Sequence, residues 1–142
     1  MEIKNFIQTD VRYFTGNILI IGSCLRDVRP DLISKLAKGM DGVYHVCLEE
    51  IHGNLYGFKL TTIMRLGALN TITLFTKDGS PHCLQLHLGG DEAADNVGFD
   101  KDKLINYVYD RKSEKLYKID AKTVPYARKL NKIQSLLEQA KK

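Results

Sequence analysis

A chain of 142 residues with 44% hydrophobic and 27% charged residues has the composition of a globular domain and excludes a disordered protein. It begins without the basic and apolar stretches of a secretory signal, and its longest apolar run, residues 18–21, is too short to cross a bilayer. We therefore expect one cytoplasmic domain, residues 1–142, with no membrane contact.

The net charge of +4 is compatible with anionic partners but does not require them. Most of the excess lysine and arginine lies in the C-terminal third of the chain, where no aromatic residues are interleaved as they are in a base-stacking surface. We expect a solvated basic surface there and no nucleic-acid partner.

Three apolar runs rich in β-branched residues predict core strands near residues 17–22, 42–48 and 71–76. A predicted helix follows each of them, at residues 30–39, 55–66 and 81–97. Successive strand–helix units fold into a parallel sheet with right-handed crossovers and helices on both faces. The fold class is therefore α/β, a three-layer sandwich.

Alternating apolar and polar residues at 104–109 and 115–119 predict an antiparallel hairpin at one edge of this sheet. A last helix is predicted from about Val124, with Leu130, Ile133, Leu137 and Ala140 on its core face. Residues 1–16 contain several large apolar side chains, and we expect an edge strand or an interface segment there.

The three cysteines all fall at the carboxyl ends of predicted strands or in the turns that follow them. Cys24 follows the first strand, Cys47 ends the second, and Cys83 opens the helix after the third. Ligands of open α/β sheets bind at this edge, so the cysteines are the main candidates for function. Their odd number and the expected compartment favour free thiols or ligands over disulfides.

Two kinds of chemistry use thiols at such an edge, and a third interpretation is inert packing. Cys24, Cys47 and Cys83 could bind zinc or an iron–sulfur cluster, with His52 or His87 as a further ligand. Alternatively, a thiol near a helix N-terminus could act as a nucleophile. Buried free cysteines are also common as small apolar residues of the core.

In the nucleophile alternative, the protein is a thiol-dependent enzyme acting on an anionic substrate. Cys24 would attack, and Arg26 or Arg29 in the same loop would bind the anion. His45 shares a strand face with Cys47, and we expect it to be a buried, hydrogen-bonded core histidine.

Two serines stand where a phosphate could bind at this edge. Ser23 lies between a strand and a helix start, and Ser80 follows an Asp-Gly turn and precedes Pro81. Ser23 and Ser80 are thus candidate cofactor-binding residues, although a tight turn with a helix cap also explains Ser80.

Residues 39–59 resemble the iron–sulfur delta subunits of methyl-viologen-reducing hydrogenases. Those proteins have an Asp-Gly-Val strand that ends in a cysteine, a second cysteine five residues later and a Gly-Asn pair. In this chain the strand begins at residues 41–43 and ends at Cys47. His52 stands at the position of the second cysteine, and residues 53–54 are Gly-Asn. The resemblance implies a small redox accessory protein that holds a cluster and passes electrons to a redox partner protein. This chain offers fewer cysteines than the family's pattern, and a homo-oligomer could supply the missing ligands.

The leading hypothesis is therefore a cytoplasmic redox accessory or metal-binding protein that uses these thiolates. The thiol-dependent enzyme is the second hypothesis. The third is a non-catalytic, oligomeric binding module whose contact surface is residues 1–16.

Overall fold

Six strands form one sheet in the computed structural model, which describes residues 1–141. The strands follow the spatial order β1-β3-β2-β4-β5-β6, and all neighbours are parallel except β5 and β6. Their bounds are β1 Ile3–Asn5, β2 Gly16–Gly22, β3 Gly42–Val46, β4 Leu69–Lys77, β5 Leu104–Asp110 and β6 Lys115–Ile119.

The predicted α/β sandwich is confirmed, including the antiparallel pair at one edge. The helices are α1 Leu25–Val28, α2 Pro30–Leu36, α3 Gly53–Arg65, α4 Pro81–Val97 and α5 Leu130–Ala140. The second core strand is two residues shorter than predicted, because Cys47 and Leu48 lie in the turn that follows it. The predicted loop after β2 contains the single turn α1.

Strand β2 lies at the centre of the sheet and is buried on both faces. Ile18 and Ile20 pack in the larger apolar cluster, which includes residues of α3 and α4. Leu19 and Ile21 point to the opposite face, in the cluster that includes residues of α1 and α2. Since successive side chains of a strand alternate between faces, only a continuous apolar run can fill both cores.

The N-terminal segment is part of the fold of its own chain. Its strand β1 pairs with β3 at the edge of the sheet. Phe6 and Phe14 are fully buried in the larger cluster, and the Lys59 ammonium of α3 donates hydrogen bonds to the carbonyls of Ile7 and Thr9. Helix α3 therefore holds this segment against the sheet.

The predicted core face of the last helix is wrong. Residues Val124–Arg128 form a 3-10 helix, and α5 follows without a single buried residue. Leu130 is 81% exposed and Leu137 is 55% exposed. The 3-10 helix lies against α4, with Val124 buried and Arg128 paired with Glu92, whereas the apolar stripe of α5 remains largely exposed.

The strand order creates a crevice at the carboxyl ends of β2 and β4. The chain leaves β2 toward β3 on one side, whereas it leaves β4 toward β5 on the other. The loops after these two strands diverge, and such a reversal of strand order is where open α/β sheets bind ligands. Within residues 1–141, no helix combines the length and apolar character needed to span a membrane.

Candidate functional site

A cavity of about 100 Å³ lies in this crevice, and all three cysteines line it. Cys24 follows β2, Cys47 follows β3, and Cys83 lies in the first turn of α4. The sequence places them 23 and 36 residues apart, and the parallel sheet brings them together. The convergence expected at this edge of the sheet is therefore observed.

Cys24 is the exposed thiol of the group, and Cys83 is the buried one. Partial burial raises the pKa of Cys24, and the neighbouring Cys83 thiol raises it further. Lys77 acts in the opposite direction, while Cys47 has the smallest effect. Cys83 is thus the closer electrostatic partner of Cys24, and Cys24 is largely a protonated thiol near neutral pH.

Cys83 is positioned by the start of α4. The turn before it contains Gly79 at φ +91°, a backbone conformation that glycine adopts without strain. Ser80 then caps the helix, because its hydroxyl oxygen accepts a hydrogen bond from the Cys83 amide at 3.4 Å. The turn and the cap therefore account for Ser80, which also lines the cavity.

His82 and Glu49 also line the cavity, and the sequence analysis did not select them. His82 Nδ1 lies 3.7 Å from Glu49 Oε1, and both side chains are substantially exposed. His82 precedes a cysteine in the Ser-Pro-His-Cys segment, which is a signal in the sequence. The pairing with Glu49 has no such signal in the sequence, because it depends on the loop after β3 lying next to the loop after β4.

Ser23 forms a small polar group with His45 and Arg26 beside the cavity. The Arg26 guanidinium approaches His45 Nε2 at 3.4 Å and can only donate, so Nε2 accepts and the imidazole proton is on Nδ1. Nδ1 then donates to Ser23 Oγ at 2.8 Å. His45 therefore cannot act as a base toward the Ser23 hydroxyl. The pKa of His45 is lowered by burial and by the Arg26 charge.

His45 is hydrogen-bonded as predicted, but it is half-buried rather than fully enclosed in the core. Ser23 lines the cavity, whereas Arg26 is not among the lining residues.

Arg29 is engaged away from the cavity. Its guanidinium binds Asp31 through two hydrogen bonds of 2.9 and 2.7 Å and lies over the ring of Tyr109. The bonds to Asp31 raise the pKa of Arg29 and lower that of Asp31 to about 2. The structure therefore does not bring Arg29 to Cys24 as an anion-binding group.

The structure does not bring the two other candidate histidines to the thiols either. His52 is exposed at the N-cap of α3 and does not line the cavity. His87 is buried under the sheet, where Nε2 accepts from Thr76 Oγ1 at 2.8 Å and Nδ1 donates to Asn106 Oδ1 at 2.7 Å. Burial lowers the pKa of His87, so its imidazole is neutral and both of its nitrogens are occupied.

Within the described residues, 1–141, no group of three or more histidine, cysteine, aspartate or glutamate side chains is arranged to hold a metal ion. Zinc and iron–sulfur clusters favour cysteine, so the donor chemistry at the cavity fits such a group although the geometry does not.

A family model described as a Rossmann-like domain matches residues 13–140. The match covers all of the chain except residues 1–12 and 141–142. No curated protein and no solved structure shows a significant match to this chain.

Proposed function

The chain belongs to the Rossmann-like domain family, and from this premise we propose that it is a small thiol-dependent redox protein whose working group is the Cys24–Cys83 pair. The observation that carries the proposal is that an exposed and a buried thiol line the same small cavity in the ligand-binding crevice of the sheet. A cytoplasmic location and a redox partner protein are part of the proposal.

The reaction is thiol–disulfide exchange with a disulfide of a partner or small molecule. The Cys24 thiolate attacks one sulfur of that disulfide, so a mixed disulfide forms and the first leaving thiolate takes up a proton. Cys83 then attacks the Cys24 sulfur, which forms the Cys24–Cys83 bond and releases the second thiol. Two protein thiols are oxidised, one disulfide is reduced to two thiols, and the two thiol protons end on the leaving groups.

The exposure of the two sulfurs assigns their roles. Cys24 is accessible to an oxidant, whereas Cys83 is nearly covered and lines the same cavity. The raised pKa of Cys24 makes the first step slow near neutral pH and faster as the pH rises, because only the thiolate attacks.

The experiment is oxidation of the reduced protein with bis(2-hydroxyethyl) disulfide, followed by alkylation and peptide mass spectrometry. We expect a Cys24–Cys83 disulfide and a free Cys47. Cys83→Ser should stop at the mixed disulfide on Cys24, whereas Cys47→Ser, the matched control from the same cavity, should form the disulfide like wild type. A disulfide to Cys47, or none at all, would overturn the proposal.

A second candidate function is the binding of a thiophilic metal ion or an iron–sulfur cluster. Three cysteines on one cavity favour it, and so does the resemblance of residues 39–59 to cluster-binding subunits. His52 and His87 lie elsewhere, so the remaining ligands would be His82, Glu49 or residues of a second copy in a homo-oligomer.

Metal analysis of anaerobically purified protein separates the two candidates. The metal candidate predicts stoichiometric zinc or iron with sulfide, and protection of all three cysteines from iodoacetamide until a chelator is added. Metal-free protein in which Cys24 reacts without a chelator would remove this candidate and agree with the dithiol.

A further inference from the structure

Resolution of the mixed disulfide requires a proton to leave the buried Cys83 thiol. Thiolates attack disulfides, and thiols do not. Cys24 faces solvent and can lose its proton to water, whereas Cys83 is almost fully covered by the cavity walls. A base inside the cavity would therefore assist the second step of the proposed exchange.

Three charged or titratable side chains other than the cysteines line the cavity: Glu49, Lys77 and His82. An ammonium group has no lone pair to accept a proton, and a carboxylate is a weak base for a thiol. An imidazole is the side chain whose ordinary titration range spans neutral pH, so it can both accept and return a proton there.

Among the described histidines, His82 is also the one that lines the cavity and whose ring is not hydrogen-bonded to a buried group. The rings of His45 and His87 are occupied at both nitrogens, and His52 lies outside the cavity. Glu49 Oε1 lies 3.7 Å from Nδ1 of His82, so the carboxylate is beside that nitrogen and Nε2 is on the other side of the ring.

We infer that His82 is the base that takes the proton of Cys83 during resolution, with Glu49 as its positioning residue; this inference rests on the proposed dithiol function. The Cys83–Cys24 sulfur bond forms as the bond from Cys24 to the oxidant breaks. The proton passes from Cys83 to His82 and then to the departing thiolate, and the exposed imidazole also exchanges protons with water.

The test follows the mixed disulfide on Cys24 after the full-length reduced chain is mixed with bis(2-hydroxyethyl) disulfide at pH 7 and quenched with acid. In His82→Ala we expect the mixed disulfide to accumulate, because its resolution slows by roughly tenfold or more. Imidazole in the buffer should restore much of the rate. The final ratio of disulfide to dithiol should equal that of wild type, because a base changes the rate and not the equilibrium.

His52→Ala is the matched control, since it removes an exposed histidine outside the cavity, and it should resolve like wild type. Resolution in His82→Ala at the wild-type rate, or a slow rate that imidazole does not restore, would overturn the inference while leaving the dithiol function intact. Failure of wild type itself to form the Cys24–Cys83 disulfide would refute the proposed function.

Discussion

Phe6→Ala is expected to lower the free energy of unfolding by about 3–5 kcal/mol, the usual cost of removing a buried aromatic side chain from a core. Phe6 has no exposed surface, and its ring lies 5.3 Å from that of Phe14 and 5.7 Å from that of Tyr56, measured between centroids. The Lys59 ammonium lies over the same ring at 5.6 Å. Alanine would leave a cavity between β1 and α3 that none of these groups can fill.

Urea denaturation followed by circular dichroism measures this effect, and Tyr13→Ala is the matched control. Tyr13 belongs to the same N-terminal segment, but it is 60% exposed, and the side chains of Lys4 and Arg12 lie over its ring. Its substitution should change stability by about 0.5 kcal/mol or less. Equal effects of the two substitutions would contradict the packing described for residues 1–16 and would favour an interface role for this segment.

The parts of the fold that the sequence predicts well are those whose side chains are buried on two faces. Residues 18–21 are predicted to lie in the middle of a sheet, because a strand buried on both faces accepts four large apolar side chains in succession and the run is too short for a buried helix. The meeting of Cys24, Cys47 and Cys83 could be predicted for a related reason. Parallel strands end at one edge, so residues far apart in sequence become neighbours once the strand order is right.

The prediction for α5 was wrong because periodicity reports only that a helix has an apolar side. Leu130, Ile133 and Leu137 recur at helical spacing, but what covers them depends on where the preceding segment attaches. That segment lies against α4, where Arg128 pairs with Glu92 and donates to the Leu88 carbonyl, and α5 then follows without a buried residue. No local signal in the sequence encodes this contact across 36 residues.

His87 shows a second limit of spacing arguments. Cys83 and His87 are one helical turn apart and share a face, so the spacing predicts both as ligands of one metal site. One turn along α4 carries His87 from the rim of the sheet to its interior, where Thr76 and Asn106 are its neighbours. The two side chains are separated along the helix axis. A helical pattern shows that they share a face but not how deep the cavity is along that axis.

His87→Leu is expected to lower the free energy of unfolding by about 2–4 kcal/mol, because it leaves two buried polar groups without partners. Thr76 and Asn106 are both almost fully buried, and each currently bonds to the imidazole. His52→Leu, at an exposed position, is the control and should have little effect. Oxidation of the Cys24–Cys83 pair should proceed normally in folded His87→Leu, whereas a metal site that includes His87 would lose its ligand.

The pH dependence of stability gives this substitution a second, independent measurement. Burial lowers the pKa of His87 in the folded protein, so the unfolded chain binds a proton there at a higher pH than the folded chain does. Stability from the neutral imidazole is therefore fully present above the ordinary histidine pKa, near 6.5, and is lost as the pH falls below it. Denaturation curves between pH 7.5 and 5 should show a smaller acid loss in His87→Leu than in wild type. Part of that loss should remain, because burial lowers the pKa of His45 as well. An identical acid loss in both proteins would mean that His87 is not the neutral, doubly bonded imidazole described here.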